Sequence, residues 1–372
     1  MTAIASLRST VLDLPPSCIE FCPSAPQYAV IGTYNLEKQD EQKDQDTEAD
    51  QGQKTSQQRN GSLILIEVIG DDVTILQTLP TPSAILDVHF RGQSTDGIFG
   101  AATSTGAIGI YKLTVSNGEA PVITHVHTLQ FFAEDELITA FSWHSDGRTL
   151  GMTLSTGWVY LGEEINGEED TAEVLIHELE VWTLAFIPDG SGILSGGDDC
   201  ALRFEQLPRK SAWVDKKIHG AGVTAILPVF WDESEMLVVT GSYDDHIRLI
   251  HVPTTGRREV LTEMNLEGGV WRLKILDQKP AMQKGSDRGS WVCASDPEEL
   301  LLLVSCMHAG TRIVRLFHDS DKAKWHFEVK ARFEEHKSMN YGSDCQPHVD
   351  DQGQRKFITT SFYDRLLCLW RY

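Results

Sequence analysis

The chain has 372 residues, of which 41% are hydrophobic, and carries a formal net charge of −22. That hydrophobic content is enough to bury a substantial core, and the acidic balance argues against a nucleic-acid backbone or an anionic membrane as partner, since both demand clustered Lys and Arg. The seven cysteines are odd in number, irregularly spaced and without a CxxC pair, so they form neither a disulfide framework nor a structural zinc site.

The N-terminal stretch MTAIASLRSTVLDLPPS has no long apolar core and reads as no secretory signal. No run of about eighteen apolar residues follows it, so no membrane span is expected. Together these features point to the cytoplasm or nucleus, with the cytoplasm as the working expectation.

In chain order, a tight turn followed by an alternating strand recurs. The units read NGSLILI from Asn60, TGAIGIY from Thr105, TGWVYLG from Thr156, DCALRFE from Asp199, DDHIRLI from Asp244, HAGTRIV from His308 and DRLLCLW from Asp364. Their spacing is roughly 40–65 residues, near one WD blade plus loop insertions. Each is preceded by an opening strand: SCIEFCP, AILDVHF, ITAFSWH, VWTLAFIPDG, VTAILPV, VWRLKI and NYGSDC. Period-2 alternation marks each as a half-buried strand.

The pattern predicts an all-β, seven-bladed WD-repeat β-propeller filling residues 1–372 as one domain. Ring closure falls to TVLDL at 10–14, which should form the outer strand of the last blade and protect its edge. Residues 37–60 are polar and read as a disordered acidic loop within blade one. Residues 277–289 read as a loop insertion in blade six.

The register places two sets of residues on one face around the central channel. The turn position carries Asn60, Thr105, Thr156, Asp199, Asp244, His308 and Asp364; an Asp there normally braces the turn. His308 stands where its neighbours carry Asp or Thr, and an imidazole can brace a turn or move protons near neutral pH. The second position of the opening strand carries Cys18, Leu86, Thr139, Trp182, Thr224, Trp271 and Tyr341. Each aromatic there can be ordinary core, but together they suit a quaternary ammonium at the channel mouth. Arg272, beside Trp271, is the one cation expected at that mouth, either paired with a carboxylate or holding a developing oxyanion. No G-x-S-x-G elbow, Gly-rich phosphate loop, dinucleotide fingerprint or HExxH pair is present, so no cofactor or metal is expected.

The final third is more distinctive than the repeat. GGVWRLK (268–274), LLLVSCMHAG (301–310), HKSMNYGSD (336–344) and TTSFYDRLLCLW (359–370), with EVWTLAF (180–186) and SGGDD (195–199), resemble the WD-repeat diphthine methylesterase family, also called diphthine methyltransferase. The resemblance implies hydrolysis of the methyl ester of methylated diphthine on elongation factor 2; separately, the chain is expected to be a monomer. It implies His308, His336, Arg272 and Asp364 as catalytic candidates and Trp182, Trp271, Tyr341 and Tyr363 as substrate-binding residues. A covalent route would use Cys306 or Ser361. The competing expectation is a non-catalytic WD-repeat scaffold or adaptor for complex assembly or trafficking, since the fold alone does not specify function.

Overall fold

A computed structural model describes residues 2–36, 59–92, 95–116, 118–165, 167–253, 256–276, 282–284, 291–293, 299–319, 322 and 324–372. The expected acidic loop at 37–60 lies outside them except for Arg59 and Asn60, which begin a strand.

The described residues form seven antiparallel sheets arranged as blades, with no helix. Blade 1 runs Pro16–Phe21, Tyr28–Thr33, Arg59–Ile69, Asp72–Thr81. Blades 2 to 5 open at Ile85–Phe90, Ile138–Trp143, Val181–Phe186 and Val223–Trp231, and each adds three strands outward in sequence order. Blade 6 opens at Arg272–Ile275 and blade 7 at Gly342–Val349. The opening strands touch their neighbours in ring order, and that of blade 7 touches that of blade 1, so they surround the channel.

Burial follows radial position. The second strands are sandwiched on both faces between neighbouring blades, and Tyr28–Thr33 and Gly192–Gly197 are buried at every residue. The outermost strands, such as Val122–Gln130, face water and are mostly exposed. The hydrophobic clusters lie between blades; one joins Leu237, Val239, Ile247 and Leu249 of blade 5 to Leu302, Val304, Val314 and Leu316 of blade 6. Close blade contact demands a missing side chain at Gly241, where a Cβ would sit 2.2 Å from a Val270 methyl.

The N-terminal segment clasps the last two blades. Arg8–Val11 pairs antiparallel with Leu366–Leu369 as the outer strand of blade 7, so the closing strand lies slightly upstream of 10–14. Thr2–Ile4 adds a parallel fifth strand to Lys324–Phe333 of blade 6, which the repeat pattern does not reveal. Within the blade-six insertion, Met282–Lys284 and Trp291–Cys293 pair as a small antiparallel hairpin. The other residues of 277–298 lie outside the described set.

Candidate active site at the channel mouth

Three blades carry the same brace. In blade 4, His177 Nδ1 is hydrogen-bonded to Asp199 Oδ1 at 2.8 Å and its Nε2 to Ser195 Oγ at 2.8 Å. In blade 5, His219 Nε2 lies 2.9 Å from Thr240 Oγ1, and Asp244 accepts from the Gly220 amide. In blade 7, His336 Nε2 lies 2.8 Å from Thr359 Oγ1, Trp370 Nε1 donates to the same oxygen, and Asp364 accepts from the Lys337 amide. These contacts tie the loop before each opening strand to the buried second strand.

That placement corrects several expectations of catalysis. His336 is 5% exposed, and burial depresses it to about 4, so it is a neutral structural imidazole rather than a base facing substrate. Asp364 caps its turn and also accepts from the Ser361 hydroxyl. Ser361 is buried, and no imidazole contacts it among the described residues. Cys306 is fully buried and burial pushes its thiol up to about 12, which removes the thiolate a nucleophile needs. His308 is exposed on the blade-6 turn, makes no hydrogen bond or ion pair among the described residues, and does not line the mouth cavity.

Arg272 is also displaced from its expected place. Its side chain runs into the channel, where Nη2 meets Asp87 Oδ1 at 2.8 Å. His89 bonds the other oxygen of Asp87 at 3.2 Å and Glu20 at 2.6 Å. Burial opposes charge at Asp87, but Arg272 and His89 hold its carboxyl below the usual range. Burial likewise opposes charge at His89, yet Asp87 and Glu20 push it up to about 10. The result is a compensated chain of alternating charges beneath the mouth.

The mouth itself is a cavity of about 430 Å³. Its walls include Trp182, Trp271 and Tyr341, three of the aromatics expected there. Trp271 is the hub: its ring centroid lies 5.8 Å from Trp182, 6.1 Å from Tyr243 and 4.8 Å from Tyr341. Tyr341 packs on Phe362 at 5.6 Å, and Phe362 on Tyr34 at 6.1 Å. The indole N–H of Trp271 is buried without a partner. Tyr363 is 72% exposed; its ring packs on Phe362 at 5.1 Å and its backbone N–H donates to Ser338 Oγ at 2.8 Å.

Charge is arranged on opposite sides. Glu180 and Trp182 enter from blade 4, and Trp182 Nε1 donates to Asp198 Oδ1 at 2.7 Å. Burial, reinforced by Glu180 and Asp199, raises the Asp198 carboxyl above its ordinary value despite that hydrogen bond. Gly222 makes room for it, since a Cβ there would lie 2.8 Å from Asp198 Oδ1. The cation at the mouth is Arg59 of blade 1, not Arg272; its Nε donates to the Tyr34 hydroxyl at 2.8 Å.

Tyr34, Ser155, Asp198, Tyr243 and Phe362 share one register position, the first residue after the second strand of their blades. This position lies outside both the turn-tip set and the opening-strand set. The signal was available: an aromatic or an acid there in four of these five blades.

The comparisons agree with this architecture. A family model described as "WD domain, G-beta repeat" matches residues 172–204, the segment holding the His177–Asp199–Ser195 brace. Diphthine methyltransferase of Saccharomyces cerevisiae is 26% identical, covering 98% of this chain and 97% of its own. That of Schizosaccharomyces pombe is 24% identical, covering 99% and 98%. These relatives match the chain over nearly its full length, and the chain carries a WD-repeat signature in blade 4.

Further comparisons extend the match. Human diphthine methyltransferase is 28% identical over 84% of this chain and 69% of its own. A chain of the "Crystal Structure of Mitotic Checkpoint Complex" superposes with TM-score 0.65 and 13% identity, covering all of this chain and 93% of that one, which shows the propeller fold alone. The aromatic and acidic mouth is the place to look for chemistry in this chain.

Proposed function

We propose that this protein acts in diphthamide biosynthesis by hydrolysing the methyl ester of methylated diphthine on elongation factor 2, in the cytoplasm and as a monomer, releasing methanol and diphthine for later amidation. The observation that carries this reading is the aromatic mouth backed by Glu180 and Asp198, in a chain matched over nearly its full length by relatives named for diphthine.

The modified side chain carries a trimethylammonium group. Its diffuse positive charge suits the faces of Trp271, Trp182 and Tyr341, with Glu180 as counter-charge. The acidic surplus of the whole chain favours approach of such a cation. Asp198, partly exposed behind the cavity wall and held by the Trp182 N–H, is the carboxylate assigned to take a proton from the attacking water, and burial raises its pKa in the direction a base needs. Water oxygen bonds to the carbonyl carbon, the bond to the methoxy oxygen breaks, and methanol leaves with the proton Asp198 accepted. This gives Asp198 the role that the sequence assigned to His308 or His336. The carbonyl oxygen requires a donor, and Arg272 already serves Asp87.

Intact-peptide mass spectrometry tests the proposal. Elongation factor 2 bearing methylated diphthine is incubated with the purified protein, with and without a methyl donor. Loss of one methylene's mass with methanol release, independent of donor, is the expected result. A mass gain only with donor would make the protein a methyl transferase in the literal sense. Binding without any mass change would leave the scaffold reading.

A further inference from the structure

We propose that the rim over blade 3 is the docking surface for the polypeptide that delivers its modified residue to the mouth, and that it selects a segment carrying Lys or Arg beside that residue. Naming that polypeptide as elongation factor 2 rests on the reading above; the charge pattern of the rim does not.

Between the outer strand of blade 2 and the opening strand of blade 3 lies a loop that carries Glu134, Asp135 and Glu136 and ends at Leu137. It is fixed on the face of the mouth. The Phe132 amide donates to Gly106 O at 2.9 Å, the Ser155 amide donates to Leu137 O at 3.1 Å, and Leu137 lines the mouth cavity beside Ser155. Gly106, at φ 68°, permits this approach, since a Cβ there would lie 2.4 Å from Ala133 O. The loop before blade 4 presents Leu179, 51% exposed, between Glu178 and Glu180, and Glu180 lines the same cavity. Its His177 amide donates to Gly157 O at 2.8 Å, so the two loops clasp the blade-3 turn from either side. Leu137 and Glu180 thus bring both loops to the mouth.

Charge compensation separates this sector from the other side of the face. Before blade 6, Glu267 pairs with Arg332 at 2.6 Å. Before blade 7, Glu334 pairs with the buried Arg312 at 2.8 Å, and Glu335 accepts from the Ser6 amide at 2.9 Å. Glu178 pairs with Lys216. Glu134, Asp135, Glu136 and Glu180 meet no cation and no hydrogen-bond donor through their carboxylates among the described residues. Like charges gathered on one sector repel one another in the free chain, and cations on a partner relieve that repulsion and steer its approach. Acids that served solubility alone would need no apolar contact among them, whereas Leu179 stands exposed beside Glu180 at the cavity edge. A Lys or Arg of the partner can lay its aliphatic stem on Leu179 and keep its charged head among the carboxylates.

The test uses the full chain and short peptides with a central trimethyllysine flanked on both sides by lysine, by glutamine or by glutamate. Binding is followed by calorimetry, and fold is checked by melting temperature. The lysine-flanked peptide should bind about tenfold more tightly than the glutamine-flanked one at low ionic strength, and the glutamate-flanked one least tightly. Salt at about 1 M should erase most of that preference, since it shortens the Debye length to about 3 Å. Glu134→Gln, Asp135→Asn and Glu136→Gln combined should lose most of the preference while keeping the glutamine-flanked affinity within about twofold. Glu119→Gln, Glu168→Gln and Asp170→Asn combined remove the same charge from exposed positions away from the rim and should keep it. With elongation factor 2 the rim variant should raise KM by about tenfold at unchanged kcat. If the combined rim variant does not fold, Asp135→Asn alone should show about a twofold loss of preference. Equal binding of the three peptides by the native protein, binding of none, or equal losses in the rim and distal variants would each overturn the proposal. Hydrolysis is scored separately: peptide discrimination without hydrolysis of elongation factor 2 would sink the esterase reading and leave the docking surface, and hydrolysis without discrimination would do the reverse.

Discussion

Arg272 of blade 6 crosses the channel to Asp87 of blade 2, its Nη2 lying 2.8 Å from Oδ1 over a sequence separation of 185 residues. Asp87 is 1% exposed and also accepts from the Val88 and Phe141 amides, so its charge is compensated chiefly by protein groups. Arg272→Gln should therefore lower unfolding stability by about 2–3 kcal/mol, the cost of leaving a buried carboxylate short of a partner, tempered because Arg272 is itself partly exposed. Asp87→Asn combined with Arg272→Gln should recover most of that loss. Urea denaturation of the single and double variants measures this; a collapse of kcat in Arg272→Gln at unchanged stability would return the residue to catalysis.

Trp271 is the hub of the aromatic mouth, so its loss should be felt in binding. Trp271→Ala should weaken a trimethylammonium peptide by about tenfold or more, and Trp271→Phe by distinctly less, since Phe keeps a smaller π-face. Equilibrium binding to the peptide and to its uncharged isostere separates the two effects: parallel losses for both ligands would mean general packing rather than cation recognition.

Asp198→Asn removes the proposed proton acceptor while keeping its shape and its acceptance of the Trp182 N–H. The expected result is a fall in kcat of about 10²–10⁴ with KM little changed. In the native protein, kcat/KM should fall as pH drops through a pKa above the ordinary carboxylate value, because burial and then Glu180 and Asp199 raise it. Glu180→Gln removes one of those negative charges and should move this acid limb to lower pH. A limb that stays in place in both variants would mean that another group titrates.

Acid should destabilise the fold through its braces. His219 and His336 are buried, and burial, before any neighbouring charge, lowers both from 6.5 to about 4. Unfolded, each takes up a proton below its ordinary value of 6.5, while folded each stays neutral until about 4. Their contribution is therefore complete above 6.5, is lost as pH falls toward 4, and changes no further below it. The loss should be on the order of 2–3 kcal/mol for each. Urea midpoints measured across this window should decline, and less steeply in His336→Gln.

Cys306 offers a plain control on the covalent route. Its sulfur is sealed between blades, so Cys306→Ala should keep turnover within about twofold at some loss of stability. Abolished turnover in a folded Cys306→Ala protein would reinstate a thiol nucleophile.

Much of this protein is legible along the chain. Turn residues and alternating strands announce seven blades because strand period and turn chemistry are local properties. Trp182, Trp271 and Tyr341 are legible as a set, since equivalent positions on equivalent strands reach the same rim. Tyr34, Asp198, Tyr243 and Phe362 form an equally regular set one strand further on, legible as a recurrent aromatic or acid, but only the closed ring shows that this position gathers around the mouth. His336 shows the opposite error: within HKSMNYGSD it looks like chemistry, and in the fold it is a strut on Thr359.

The amino-acid sequence by itself determined the repeat, the blade number and the aromatic character of one rim, because all of these depend on neighbours within a few residues. The tertiary structure alone decided that Arg272 leaves the mouth for Asp87, that Arg59 takes its place, and that Glu180 and Asp198 stand on the far side. The physical reason is closure: once the ring joins, residues from blades far apart in sequence share one channel. Which long side chain finds which carboxylate is then set by reach and burial across that space, and no local pattern carries that information.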